Sequence, residues 1–197
     1  AMEVALSPDG KTAYVADRVN GLRVINVSNP NAPALTGTLG TAGKAYGVAL
    51  SSDGETAYVA DDTHGLQIIN VSNPSAPALT GTLNTSGSAR EVTLSSDGKT
   101  AYIADGGSGL QIIDVSNPSA PALTETSYVG ASDITLSANG NTAYITDEGD
   151  GLRIVDVSTT SVRGQLVTPG VAKGVALSPD EDKAYVADYW GGLQIID

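Results

Sequence analysis

Ser7-Pro8-Asp9-Gly10-Lys11-Thr12-Ala13-Tyr14-Val15-Ala16-Asp17 decides the fold, because near-copies of it recur at 51–61, 95–105, 137–147 and 178–188. The apolar residues that open the blocks, Val4, Val48, Val92, Ile134 and Val175, follow one another in steps of 44, 44, 42 and 41 residues. Repetition at this period marks an architecture in which each block is one supersecondary unit that buries its apolar faces against its neighbours. In the second block Val48-Ala49-Leu50 is a short apolar run, and Ser51-Ser52-Asp53-Gly54 is a turn whose glycine tolerates positive φ. Ala57–Ala60 and Leu66–Val71 are apolar and β-branched, hence strands. Pro74 and Pro77 forbid helix before the last run, Ala78–Leu83.

Four strands per block differ in polarity. The first two are apolar on both faces, the third admits one polar residue (Arg23, Gln67, Gln111, Arg153, Gln194), and the fourth alternates Leu79, Gly81 and Leu83 with Thr80 and Thr82. Burial is therefore expected to fall from first strand to last, as in a sheet stacked between identical sheets with its first strand at a central axis. The reading is all-β: one five-bladed β-propeller over residues 1–197, of four-stranded antiparallel blades. Block five reaches only the end of its third strand at Asp197, so the fifth blade is expected to lack its outer strand. An open edge templates pairing. The chain is expected either as a monomer closed by packing of blade five on blade one, or as a dimer paired edge to edge through Leu193 to Asp197.

Leu22-Arg23-Val24-Ile25-Asn26-Val27 and Leu152-Arg153-Ile154-Val155-Asp156-Val157, together with the 7–17 stretch, resemble the LVIVD-repeat propeller family and the related YVTN-type surface-protein propellers. The resemblance covers essentially the whole chain. It implies the propeller fold and a secreted or cell-surface, prokaryotic setting, and it supplies no catalytic motif.

Composition narrows the function classes. A net charge of −12 and a pI near 4.2 oppose binding to phosphate backbones or anionic lipid, so no nucleic-acid partner is expected. No apolar run approaches the roughly twenty residues that span a bilayer, so no membrane insertion is expected. The chain has no cysteine, which excludes disulfides and thiolate metal sites. Ala1-Met2-Glu3 has no basic or apolar leader character, and Ala1-Met2 reads as an added start on a mature or excised soluble segment.

Candidate functional residues lie on the face that carries the second-to-third-strand loops and the inter-blade crossings. The loops open on Asp17, Asp61, Asp105, Asp147 and Asp188 and close on Gly, with freely varying interiors. The constant Asp is expected to cap its own turn, because every blade needs it equally. The variable residues Arg18, Tyr46, His64, Arg90, Lys173, Tyr189 and Trp190 form the candidate ligand-binding set, since aromatic and Arg groups together are the composition of recognition hot spots. Tyr189 and Trp190 are expected to share a rim with Arg18 and His64 across the junction of blades five and one. The alternative for Trp190 is a cover over the truncated blade or that junction. Glu3, Glu91 and Asp133 precede the first strands at the axis, where three carboxylates suit a hard cation such as Ca²⁺. No nucleophile–base pair is identifiable. The expected function is a non-enzymatic module that binds a protein or glycan on its loop face. The alternatives are a Ca²⁺-dependent carbohydrate-active propeller and a structural spacer.

Overall fold

A computed structural model describes residues 1–127 and 129–197. Every regular element in it is a strand. Blade one holds β1 (Glu3–Leu6), β2 (Thr12–Ala16), β3 (Leu22–Asn26) and β4 (Ala34–Leu39). Blade two holds β5 (Gly47–Leu50), β6 (Thr56–Ala60), β7 (Leu66–Asn70) and β8 (Ala78–Leu83). Blade three holds β9 (Glu91–Leu94), β10 (Thr100–Ala104), β11 (Leu110–Asp114) and β12 (Ala122–Ser127). Blade four holds β13 (Asp133–Leu136), β14 (Thr142–Asp147), β15 (Gly151–Asp156) and β16 (Val162–Leu166). Blade five is three-stranded, with β17 (Ala172–Leu177), β18 (Ala184–Asp188) and β19 (Gly192–Ile196). Each sheet is an antiparallel meander in chain order, as the repeat predicts.

The first hairpin repeats one local device. Ser51 Oγ donates to Asp53 Oδ1 and accepts from Thr56 N, and Asp53 Oδ1 also accepts from Glu55 N. Gly54 sits at φ 74, a conformation that only glycine adopts without cost. Each outer strand carries a bulge, at Thr36, Thr80 and Thr124 in the first three blades. The bulge turns the next residue of β4 and β8, Gly37 and Gly81, against the carbonyl of Pro74 or Pro118 in the following blade, so close that a Cβ would collide with it.

Each blade has a leading face toward the next blade and a trailing face toward the previous one. Tyr14, Ala16, Leu22 and Val24 lead from blade one and meet Val48, Val59, Ile69 and Val71 trailing from blade two. The same sets meet at the next two junctions, and a smaller cluster joins blades four and five. Burial peaks in the second and third strands rather than the first: β6 and β7 are almost wholly buried, whereas the inner strands β9 and β13 are only partly so. The expected gradient fails at its inner end because the first strand lines the axial opening, where one flank meets solvent.

Blade five does not pack on blade one. Among the described residues no apolar cluster joins them. Val4 is 57% exposed where Val48 is 3%, and Leu193 is 63% exposed where Leu22 is 0%. The five blades form an open arc, which removes the closed form expected from the sequence.

Candidate functional site

Where the crossings enter the blades, two rings of register-equivalent residues surround the axis. The residue before each inner strand is Met2, Tyr46, Arg90 or Ser132, and Lys173 occupies the matching position in blade five. The backbone N–H groups of Met2, Tyr46, Arg90 and Ser132 donate to Ala16, Ala60, Ala104 and Thr146 respectively, which fixes all four at one height. The next residues inward are Glu3, Gly47, Glu91, Asp133 and Gly174. Gly47 is required by close approach, because a Cβ there would lie 2.8 Å from Glu91 Cα. Apart from Gly47 and Gly174, the ring residues line a cavity of about 510 Å³ that also takes in Ser88 and Glu148.

Two of the three carboxylates expected to hold a cation join blades. Glu3 Oε2 accepts from Val48 N at 2.6 Å, and Asp133 Oδ2 accepts from Val175 N at 2.7 Å, each reaching into the next blade. Glu91 Oε1 accepts from its own strand, at Val92 N. Among the described residues no group of three or more His, Cys, Asp or Glu side chains is placed to hold a metal ion. Burial raises the pKa of all three. Glu91 is pushed up to about 10, by burial first and then by the negative charges of Glu3 and Asp133. It therefore carries a proton at neutral pH beside Glu3.

Cations on the upper ring are tethered. Arg90 and Lys173, from blades three and five, both pair with Glu148 of blade four, Lys173 Nζ at 2.7 Å. These two partners hold the Glu148 carboxyl below the usual range. Arg90 also donates to Ser132 Oγ at 3.3 Å. Arg18 lies with its guanidinium carbon 5.6 Å from the centroid of the Tyr46 ring, a cation–π contact, and donates to Tyr46 Oη at 3.4 Å.

The structure thus gathers Tyr46, Arg90 and Lys173 in one cavity and sets Arg18 beside it. His64 is not brought there: it is half-buried beside Thr63, and its carbonyl accepts from Gln67 Nε2, a contact that Ser108 and Gly191 repeat in other blades. Tyr189 and Trp190 stack edge to face at 4.6 Å and stand 67% and 80% exposed. Because the arc is open, they share no junction with Arg18 and His64, and Trp190 covers no seam. A second depression lined by Lys173 and Tyr189 adjoins the main cavity at Lys173.

At three of its five positions the constant Asp caps not its own turn, as expected from the sequence, but the preceding crossing. Asp61 accepts from Thr41 Oγ1 and Gly43 N, Asp105 from Thr85 Oγ1 and Gly87 N, and Asp188 from Thr168 Oγ1 and Gly170 N. Each carboxylate latches its loop to the crossing that leaves the previous blade. Burial raises the pKa of Asp61 and Asp105, and these same hydrogen bonds oppose the rise. Asp147 does cap its own turn, at Gly149 N. The signal for the latch was present in the sequence as Thr41-Ala42-Gly43, Thr85-Ser86-Gly87 and Thr168-Pro169-Gly170, 20 residues before each Asp.

Known structures share the architecture. Over 93% of its length the chain superposes on Kuenenia stuttgartiensis hydrazine synthase with a TM-score of 0.78 at 18% identity, and it spans 54% of that protein. It superposes over 98% of its length on the Myceliophteria thermophila Cps50 (Swd1) β-propeller domain, with a TM-score of 0.77 at 13% identity, covering 69% of that domain. A functionally unknown protein from Desulfotomaculum acetoxidans matches over the full chain, with a TM-score of 0.78 at 15% identity and 68% of its own length covered. At these identities the likeness is one of fold. No curated protein matches the chain. The LVIVD repeat matches at residues 1–41, 42–85, 86–128, 130–162 and 169–197, so the chain belongs to the LVIVD-repeat family.

Proposed function

We propose that this chain is a non-enzymatic recognition module whose axial mouth binds a hydroxyl-rich ligand, a glycan. One observation carries the reading. On a scaffold that otherwise repeats itself, the equivalent positions around the mouth in blades two to five carry four different side chains, Tyr46, Arg90, Ser132 and Lys173. A scaffold needs no such diversity, and loop-face side chains are where binding is built on a rigid frame. Tyr46 offers a ring for a sugar face. Arg90, Lys173 and the protonated Glu91 supply donors, and Glu3, Asp133 and Ser132 supply acceptors. A cavity of about 510 Å³ is within the usual range for a small ligand. The secreted or cell-surface setting implied by the family resemblance fits a glycan.

The test is thermal unfolding against a panel of soluble oligosaccharides, with Ca²⁺ and EDTA arms. A ligand at about one hundred times its dissociation constant adds about 2.7 kcal/mol, which for a domain this size raises the midpoint by roughly 5–10 °C. The shift is expected with one sugar class, lost in Tyr46→Ala and independent of Ca²⁺. A Ca²⁺-dependent shift would replace this reading with the cation one. No shift with any glycan would remove it.

A further inference from the structure

The axial mouth is the middle of a longer depression. Two smaller cavities on the same face adjoin it, each sharing side chains with it. One, of about 210 Å³, lies between blades three and four, and Arg90, Ser132 and Glu148 line both it and the mouth. The other, of about 220 Å³, lies on blade five and meets the mouth at Lys173. Both are smaller than the roughly 300 Å³ at which a cavity holds a whole small ligand, so neither is a site by itself. Sequence shapes their far ends in opposite ways. The second and third loop positions are Gly106 and Gly107 in blade three, and Tyr189 and Trp190 in blade five. A Cβ at Gly107 would meet nothing within 4 Å, so the missing side chains leave a notch. In blade five the same positions raise an aromatic platform: Tyr189 lines the cavity and Trp190 stacks against it edge to face. That platform is held in place. Tyr189 N–H donates to the Val171 carbonyl at 3.0 Å, and Asp188 latches the loop to Thr168 and Gly170.

Resting on the glycan proposed for the mouth, we infer that the three cavities are subsites of one groove. Its ligand is a neutral linear oligosaccharide that runs from the Gly106–Gly107 notch through the mouth to the Tyr189 ring. Length follows from the two aromatic faces, Tyr46 and Tyr189, which line different cavities joined at Lys173. A single sugar ring covers one of them, and only a chain covers both. Neutrality follows from the way the charges are paired. Arg90 and Lys173, the cations lining the groove, are both held by Glu148, and Glu3 and Asp133 stand on the same wall. A glycan carrying carboxylates or sulfates would meet net negative charge there.

Trp190 is the only tryptophan of the chain, so its fluorescence reports the blade-five end of the groove alone. Gluco-, manno- and xylo-oligosaccharides of one to six units, with oligogalacturonates of matching length, are titrated by calorimetry while acrylamide quenching of Trp190 is followed. In one neutral series affinity is expected to rise about tenfold from the shortest member that binds to the hexamer, about the worth of one stacked ring. Quenching is expected to fall only with the longer members. Tyr189→Ala should abolish the gain with length and leave the short member's affinity unchanged. Gly107→Leu, which fills the notch, should weaken the hexamer alone. Both positions are exposed, and unchanged melting temperatures verify that the variants fold. Affinity that is independent of length, lost in Tyr46→Ala but not in Tyr189→Ala, overturns the inference and leaves the mouth as a single site. Tighter binding of the galacturonates than of every neutral series overturns it as well. No binding of any sugar removes the glycan reading and the inference with it.

Discussion

Replacing Glu91 with Gln should stabilise this protein, and the gain should depend on pH. In the fold the Glu91 carboxyl keeps its proton to about pH 10, whereas in the unfolded chain it ionises near 4.5. A carboxyl whose folded pKa is raised makes the native state bind the extra proton, so stability falls as pH rises from 4.5 toward 10. Gln has nearly the same shape, can still donate toward Glu3, and has no proton to lose. At pH 7 the ceiling on the difference is about 3 kcal/mol, from about 1.4 kcal/mol per pH unit. Glu91 lies at a solvent-facing mouth, where screening reduces such interactions, so about 1–2 kcal/mol is the expected gain. Guanidinium unfolding of both proteins from pH 4.5 to 8.5 measures it. The two curves should coincide at the acid end and separate steadily above pH 5. A difference that is constant with pH, or a Gln variant less stable at pH 8, would refute the reasoning.

Asp105→Ala removes a buried latch and strands the Thr85 hydroxyl and the Gly87 N–H, at a cost of about 2–3 kcal/mol. A calorimeter should record a fall in melting temperature of roughly 5–10 °C. In Gly81→Ala the new Cβ meets the Pro118 carbonyl, and forcing the two blades apart should cost about 1–3 kcal/mol. Gly40→Ala meets no neighbouring atom within 4 Å and, like Gly81, does not sit at positive φ, so it controls for the backbone effect of losing a glycine, and it should cost less. Trp190→Ser should change stability by less than about 0.5 kcal/mol, since the indole is 80% exposed. Acrylamide should quench Trp190 in the native protein almost as readily as in the unfolded one.

The propeller was legible in the sequence because the Ala-Tyr landmark recurs five times and the proline-bounded outer strand three times, and periodicity constrains each block by the other four. Tyr46, Arg90 and Lys173 were legible as variable residues on a repeating frame. The roles of Asp61, Asp105, Glu3 and Asp133 were not, because each depends on a hydrogen bond to another blade. Taken one block at a time, an Asp before a Gly-closed loop looks like a turn cap; only the crossing from the previous blade reveals Thr41, Thr85 and Thr168 as its partners. The open junction was likewise hidden. The Val4 and Leu193 side chains match their buried counterparts, and exposure comes from the rotation between blades, which no residue encodes alone.

That junction governs how the molecule comes apart. Every latch and apolar cluster ties a blade to the one beside it in sequence, and none ties the last described blade to the first. The arc therefore behaves as a linear array, in which stability is a sum of blade terms and nearest-neighbour couplings. The outer blades have one coupling each and the inner blades two. Heating should fray the arc from both ends, with amide exchange fastest in β1 and β19 and slowest around β10 and β11, so that cooperativity belongs to the middle of the chain.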